Sequence, residues 1–347
     1  MSIPLTIDSL KNYYILDKIV GEGTFSKVVK SKRVSDNELI ALKVFKKKLK
    51  SILDVDSLRE VQVFRAFVNH PNIITAHRYI YDPVSSMFCI EMELMTINLY
   101  EYLSKRYTTE EKTKFIIFNI LKGLEFMHSK AWIHRDIKPE NILLNGDATS
   151  VKIADLGSCT RIYTEKRPLT QYIATRWYRA PENLLTSGLY DEKMDIWGIS
   201  LIMFEILTRK PLFPGKDAIE QISLIHKALG SPSESELYEI NRNRYYSLPF
   251  TFPKMQGSGI RRMFLTRPSE YCMKFIEDSL IYSPVRRPTA ADLLTHPFLM
   301  SLNQTKNEIR SQRSESLAAV VFSINLEKII YRRGQLTADK IRKCTFK

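Results

Sequence analysis

The 347-residue chain is short of the features that mark several classes of protein. It has no run of about 18 uncharged apolar residues, which leaves no candidate for a membrane-spanning helix. Its first residues, Met1-Ser2-Ile3-Pro4, carry neither the basic region nor the apolar stretch of a secretory signal, so the expectation is an intracellular, soluble protein with no membrane partner. The four cysteines, Cys89, Cys159, Cys272 and Cys344, lie far apart, without a C-x-x-C pair or a histidine at metal-ligand spacing. That excludes a disulfide framework and a zinc site and leaves free thiols. No internal repeat or low-complexity tract stands out. What remains is an ordinary globular composition, 44% hydrophobic and 26% charged, with enough apolar material for a large core. Lys and Arg number 52 against 38 Asp and Glu, and the net charge of +14 favours acidic partners without choosing among them.

The chain changes character about a quarter of the way along. From Tyr14 to about Met95 it reads as short β-branched and aromatic runs, among them Leu39 to Phe45 and Met87 to Met92, which predict strands. One helix interrupts them: Asp54 to Phe67 sets Val55, Leu58, Val61 and Phe64 at helical spacing, with Asp54 placed to cap its start. Beyond Asn98 the pattern is helical. Thr109 to Ser129 carries Phe115, Ile116, Ile120, Leu124 and Met127 on one face, and Asp191 to Thr208 is nearly all apolar after its first turn, as a buried core helix is. From Ser301 onward ten Lys and Arg stand against four Asp and Glu, which predicts a basic tail, with Leu317 to Ile330 a candidate docking helix. The expected organisation is an extension over 1–13, a domain over 14–299 divided near 95, and the tail over 300–347.

Several segments hold charges where apolar surroundings make charges costly. Gly21-Glu22-Gly23-Thr24-Phe25-Ser26 lies between two strand-like runs, where glycines let backbone N–H groups approach phosphate oxygens; a plain tight hairpin is the alternative for these residues alone. Lys43 stands inside an apolar strand and needs a partner. Glu60, on the following helix, would account for both charges; two unrelated surface charges are the alternative. His134-Arg135-Asp136-Ile137-Lys138-Pro139-Glu140-Asn141 is a polar loop framed by apolar runs, and Lys152-Ile153-Ala154-Asp155 again ends an apolar strand on an Asp. Asp and Asn oxygens are the hard ligands that Mg²⁺ prefers.

Taken in order, the glycine-rich turn, Ala41-Leu42-Lys43, Glu60, His134-Arg135-Asp136 with Asn141, Asp155-Leu156-Gly157 and Ala180-Pro181-Glu182 resemble the signature set of protein kinases over about Tyr14 to Leu299. Thr170 to Glu182, with Trp177-Tyr178-Arg179, resembles the MAP-kinase and cyclin-dependent-kinase group. Asp155 to Cys159 and Phe252 to Ile260 look like the MAK/MOK/ICK branch, on its MOK side. The resemblance implies an α+β bilobal fold, a small β-rich lobe with one regulatory helix above a larger helical lobe. It implies a serine/threonine kinase using ATP and Mg²⁺, since Lys138 two residues after Asp136 is the Ser/Thr form.

Roles carry over residue by residue. The turn and its flanks, Ile19, Val20, Gly21, Glu22, Gly23, Thr24, Phe25, Ser26 and Val28, would cover the triphosphate. Lys43 would contact the α- and β-phosphates and Glu60 would hold Lys43. Adenine would lie between Val28 and Ala41, against the hinge Glu93-Leu94-Met95, with Met92 controlling the pocket behind it. Asn141 and Asp155 would hold Mg²⁺, Asp136 would orient the substrate hydroxyl and accept its proton, and Lys138 would sit by the γ-phosphate. His134, Asp195 and the pair Glu182 and Arg287 read as structural. Thr170 and Tyr172 are the expected activating phosphosites, with Arg176 and Arg179 clasping the second and Arg135 and Arg59 the first. The partners implied are a protein whose Ser or Thr is followed by Pro, and an upstream kinase; the chain is expected to be a monomer in cytoplasm or nucleus, with the cilium suggested by the branch alone.

Two departures touch this pattern. Ser26 replaces the third glycine and Leu156 the usual Phe, but neither change removes a charged or metal-binding group. A longer segment between Asp155 and Tyr172 leaves the partner of Arg161 open. A scaffold built on the same fold would be expected to lack Lys43, Asp136 or Asp155, and all are present. Nucleic-acid binding would rest on Lys46-Lys47-Lys48-Leu49-Lys50, a run without interleaved aromatics that is expected to be a solvated loop.

Overall fold

The computed structural model describes residues 10–83, 85–162, 176–186, 190–240 and 252–302. The chain divides into two units, Met1–Phe298 and Leu299–Lys347, and the elements below belong to the first. Thr170, Tyr172 and the stretch Leu317 to Ile330 lie outside the described residues.

Five strands form one antiparallel sheet: β1 (Tyr14–Glu22), β2 (Ser26–Arg33), β3 (Leu39–Phe45), β4 (Ala76–Asp82) and β5 (Met87–Glu93), in the order β1-β2-β3-β5-β4. β3 is central, so Leu39-Ile40-Ala41-Leu42-Lys43-Val44-Phe45 is apolar on both faces except at Lys43. Its register pairs Val28 with Lys43, Ala41 with Met92, and Lys43 with Ile90. Because facing residues in a ladder share a side, Val28, Ala41, Lys43 and Met92 emerge on one face of the sheet.

The single helix expected over 54–67 is two. α1 (Leu53–Ser57) ends at Leu58, whose φ of −67° and ψ of 122° are extended, and α2 (Arg59–Ala66) starts afresh there. Nor does Asp54 cap from outside the helix. It lies within the first turn of α1, and its carboxylate accepts the backbone N–H groups of Lys50 and Ser51 at 2.8 and 3.0 Å. The break gives α2 its own direction, and Glu60 is buried in its first turn.

After β6 (Ile97–Asn98) the chain is mainly helical. α3 (Leu99–Lys105) is capped by Asn98, which accepts from Glu101 N at 2.8 Å. α4 (Glu110–Ser129) is capped by Thr109, with Glu110 and Glu111 in the first turn where the helix dipole favours negative charge. It is buried on more than the one expected face: Ile117, Phe118 and Leu121 join Ile116 and Ile120, while Phe115 is half-buried. A side chain on Gly123 would meet Ile153 Cδ1 at 2.7 Å and the Asn72 carbonyl at 2.9 Å, so this glycine lets the next strands lie against the helix.

Those strands are short: β7 (Trp132–Ile133), β8 (Ile142–Leu144), β9 (Val151–Ile153) and β10 (Thr160–Arg161). β8 pairs with both β6 and β9, and β10 pairs with β7. α5 (Pro181–Leu185) leads to α6 (Lys193–Thr208), two residues later than the sequence pattern suggested and buried along nearly its whole length. Each fully buried Ile or Leu there contributes about 1.5–3 kcal/mol relative to exposure. α7 (Ala218–Leu229), α8 (Glu234–Ile240), α9 (Glu270–Ser279) and α10 (Ala290–Leu294) complete this half. Among the described residues no helix is long and apolar enough to cross a membrane. Cys89, Cys159 and Cys272 are free and buried.

Candidate active site

The charge isolated in β3 finds the partner that its burial requires. Lys43 Nζ donates to Glu60 Oε1 at 2.6 Å and to Asp155 Oδ1 at 3.1 Å. Burial favours the neutral form of Lys43, but the two carboxylates outweigh it and raise its pKa above the ordinary lysine value. Burial lifts the Glu60 carboxyl above its usual range, with the closeness of Lys43 acting in the opposite direction. At Asp155 burial acts upward too, yet Lys43 prevails and the carboxyl stays below its ordinary value. Unlike the other two, the Asp155 side chain is 45% exposed and faces open space.

Asp155 owes its direction to the backbone. Its φ of 57° and ψ of 62° are left-handed, a conformation that Asp tolerates better than most residues, and the chain then enters a short 3₁₀ turn over Leu156–Ser158. Leu156 is fully buried, filling an apolar slot as its type predicts. Arg135, at φ 72°, is a second left-handed residue, in the loop opposite.

Asp195, in the first turn of α6, organises that loop. Its carboxylate accepts the backbone N–H groups of His134 and Arg135, each at 2.9 Å, and lies 2.9 Å from His128 Nε2. His134 is wholly buried with Nε2 2.9 Å from the Ala154 carbonyl, a bracing position away from any open space. Ala154 N donates to the Asn141 carbonyl at 2.8 Å, and these bonds stitch the loop to the end of β9. Asp136, Lys138, Asn141 and Asp155 thereby share one region. Asn141 Nδ2 donates to Asp136 O and Oδ2, both at 2.8 Å, and Lys138 Nζ lies 2.8 Å from the same Oδ2. With its amide nitrogen so used, Asn141 has its oxygen left to offer. One amide oxygen and one exposed carboxylate fit a hard divalent cation whose remaining ligands are phosphate and water oxygens. Among the described residues no group of three or more His, Cys, Asp and Glu forms a complete protein cage.

The β1–β2 turn roofs this region. Gly21 pairs with Val28 and Glu22 with Lys27, while Gly23 N donates to Ser26 O at 2.9 Å. A side chain on Gly21 would touch Val28 at ordinary distances, and Ser26 pairs with Phe45 as a regular strand residue, so its replacement of a glycine strains nothing. Ile19, Val20 and Phe25 are exposed. The lysines of the run Lys46 to Lys50 are exposed, as expected of a solvated loop, and Lys46 Nζ also donates to Gly23 O at 2.8 Å and lies 3.0 Å from Glu22 Oε1. Below the roof, Ala41 and Met92 are buried. The Glu93 side chain turns away, accepting from Thr75 N and pairing with Lys152 at 2.8 Å, so the hinge faces the slot through its backbone.

The sequence profile of the protein kinase domain matches residues 14–299. The chain belongs to the protein kinase family. It is 39% identical over 299 residues to the human "MAPK/MAK/MRK overlapping kinase", an alignment covering 86% of this chain and 70% of that protein. The mouse protein of the same name is 40% identical over 291 residues, covering 83% and 68%. Mouse "Serine/threonine-protein kinase MAK" is 35% identical over 289 residues, 83% of this kinase but 45% of its own length. The kinase therefore falls in the MAK/MOK/ICK branch and is a serine/threonine protein kinase of α+β fold that uses ATP and a divalent metal.

Of the residues expected at its activation segment, Arg135 donates from Nη1 to Tyr190 Oη at 2.9 Å and from Nε to Ser158 O, and Arg176 donates to Lys216 O at 3.3 Å. Arg59 is exposed beside Glu60, and Arg179 is half-buried ahead of Ala180. The open question of Arg161 is settled by its guanidinium lying 5.1 Å from the centre of the Trp132 ring. Glu182 and Arg287 pair as the sequence suggested. Sequence reasoning missed the support beneath Arg179. Trp177 Nε1 donates to Gly215 O at 3.2 Å, Gln221 Nε2 donates to Trp177 O at 3.1 Å, and Tyr178 donates its hydroxyl to the buried Glu205 at 2.5 Å. Burial lifts the Glu205 carboxyl and outweighs that hydrogen bond. A Glu within the apolar run of α6 was the available signal.

Proposed function

We propose that this kinase transfers the γ-phosphoryl group of Mg·ATP to Ser or Thr followed by Pro, and that phosphorylation of Thr170 and Tyr172 activates it. The observation that carries the reading is the convergence of Asp136, Lys138 and Asn141 with the Lys43, Glu60 and Asp155 cluster beneath the β1–β2 turn. Phosphoryl transfer asks a protein mainly to position an attacking oxygen and to neutralise charge on phosphates. Asp136, fixed by Asn141 and Lys138, orients the substrate hydroxyl and accepts its proton. Lys138 balances negative charge on the transferred group. Lys43, held by Glu60, meets the α- and β-phosphates, while Ile19 to Val28 cover them and Val28, Ala41, Met92 and the backbone of Glu93 to Met95 enclose the adenine. Asn141 and Asp155 hold Mg²⁺, which when bound neutralises the phosphate oxygens.

Proline direction is supported by Arg179, directly before Ala180-Pro181-Glu182 on a segment that Trp177 and Tyr178 anchor to α6 and the loop after it. For the phosphosites, Arg135 and Arg59 lie beside Asp136 and Glu60, so a phosphate on Thr170 that met both would couple loop order to the Lys43 to Glu60 pair. The test is a peptide array with Mg·ATP, using enzyme treated with phosphatase and enzyme carrying phosphate at each position. Ser-Pro and Thr-Pro peptides are expected to exceed Ser-Ala, with activity rising on phosphorylation. Equal rates on Ser-Pro and Ser-Ala would remove the specificity, and equal rates for all phosphorylation states would remove the switch.

A further inference from the structure

The face of the five-stranded sheet turned away from Lys43 holds a second set of buried charges, to which the chemistry above gives no task. Glu91 of β5 is fully buried and pairs with Leu42, so its side chain leaves the sheet on the side opposite to Met92 and Ala41. Arg33, the last residue of β2, reaches past β3 to it: Nη2 donates to Glu91 Oε1 at 2.5 Å and Nε to Oε2 at 3.5 Å. The remaining nitrogen, Nη1, donates to Asp36 at 2.5 Å and Glu38 at 2.7 Å, in the turn before β3. Tyr14, opposite Arg33 in the β1–β2 register, donates its hydroxyl to Glu91 Oε2, and His77 Nδ1 of β4 lies 3.6 Å from Oε1. Leu10, Ile40, Leu42, Val44 and Cys89 pack with Tyr14 as an apolar cluster on this face. Burial acts to lift the Glu91 carboxyl, but the hydrogen bonds from Arg33 and Tyr14 outweigh it.

A buried ion pair is a weak way to add stability. Desolvation offsets most of the attraction, and apolar side chains of similar volume often do as well or better. What a guanidinium fork on a carboxylate does supply is a narrow geometry. Here it binds the ends of β1 and β2 to the one residue of β5 that precedes Met92 and the hinge. The strands so fastened are those whose other face carries Val28 and Met92. We infer that Tyr14, Arg33 and Glu91 are positioning residues for the nucleotide: they fix the twist between β1–β2 and β5, and with it the width of the adenine slot. The inference rests on reading the slot between Val28, Ala41 and the hinge as the ATP site.

The test is steady-state kinetics on the full chain, with ATP varied at saturating peptide and peptide varied at saturating ATP. Glu91→Gln is expected to raise KM for ATP about five- to tenfold while kcat and the peptide KM stay within about twofold. Since that variant leaves Arg33 partly unpaired, Arg33→Met/Glu91→Leu provides a second arm: it is expected to melt near or above wild type and still show the raised KM for ATP. Wild-type KM for ATP in the double variant, or in a folded Glu91→Gln, overturns the inference whatever happens to the melting temperature. A fall in kcat matching the rise in KM also overturns it, as general damage. Lys43→Ala measured in parallel separates the two ideas, because unchanged ATP kinetics there would strike at the nucleotide site itself.

Discussion

Of the ion pairs in this kinase that join a basic residue to a distant carboxylate, Arg287 with Glu182 and Lys43 with Glu60 and Asp155 are built to opposite ends. Arg287 is 1% exposed, and its guanidinium donates to Glu182 at 2.8 and 3.1 Å and to the carbonyls of Ile281, Lys193 and Tyr282, with the Trp197 ring centre 5.2 Å away. Lys43 spends two of its three N–H groups among the described residues, and one partner, Asp155, is nearly half exposed. The first pair is saturated and can only hold helices together. The second leaves one N–H of Lys43 and much of the Asp155 carboxylate uncommitted among the described residues, and that difference is what the proposed phosphate and metal contacts would use.

The sharpest break in this comparison comes from the unsaturated side. Asp136→Asn, Lys43→Ala and Asp155→Ala are each expected to cut turnover by about 10²- to 10⁴-fold while thermal unfolding stays cooperative, since they remove charge placement and little apolar packing. Stabilisation by Mg·ATP should fall most in Asp155→Ala, read as the nucleotide-induced shift in melting temperature. Near-normal turnover in that variant would remove Asp155 from metal binding. Next comes the scaffold: Arg287→Ala leaves Glu182 buried without a counter-charge, which costs about 3–5 kcal/mol. For a domain this size the melting temperature drops by about 10 °C, with the activity per folded molecule unchanged at low temperature. If the lost activity instead exceeded the lost fold, Arg287 would belong to the site.

A smaller effect tests a contact of intermediate kind. Tyr178→Phe takes away the hydrogen bond to Glu205 and is expected to cost about 1–3 kcal/mol, and to raise the peptide KM more than the ATP KM. Equal changes in both would mean that the segment under Arg179 serves only the fold. The mildest effect concerns pH. The Glu91 carboxyl is held below its ordinary value, so the stability it contributes is complete above the ordinary carboxylate range and is lost as pH falls through the lowered value. The melting difference between wild type and Glu91→Gln should therefore shrink from pH 7 toward pH 3. A difference that grew on acidification would give the ionised form no part in it.

Much of the site was legible because it consists of charges in apolar places. Lys43 in β3, Asp136 and Asn141 between apolar runs and Asp155 after β9 all announce themselves locally, and their order along the chain names the family. The helix break at Leu58 was not legible, since Val55, Leu58 and Val61 keep helical spacing across it and only the extended backbone angles of Leu58 mark the new start at Arg59. The Arg33 to Glu91 bond joins residues 58 apart with no shared motif. Its signal was nevertheless of the kind that exposed Lys43, a charge inside an apolar stretch, here Phe88 to Met92, and the same argument applied to Glu91 would have asked for a cation. Lys46 was hidden in a run of like residues, where nothing in the sequence singles out the member that reaches Gly23.

The left-handed backbone at Asp155 bears on inheritance as well as on chemistry. Of the replacements that one base change gives an aspartate codon, asparagine and glycine also accept that conformation, while valine does not. The first two should accumulate as folded molecules in which the loss is of phosphoryl transfer and not of structure. The valine allele, strained at the same position, should be cleared and behave as a simple loss. A single pair of backbone angles thus sorts the replacements of one codon into those that the fold accepts and those that it strains.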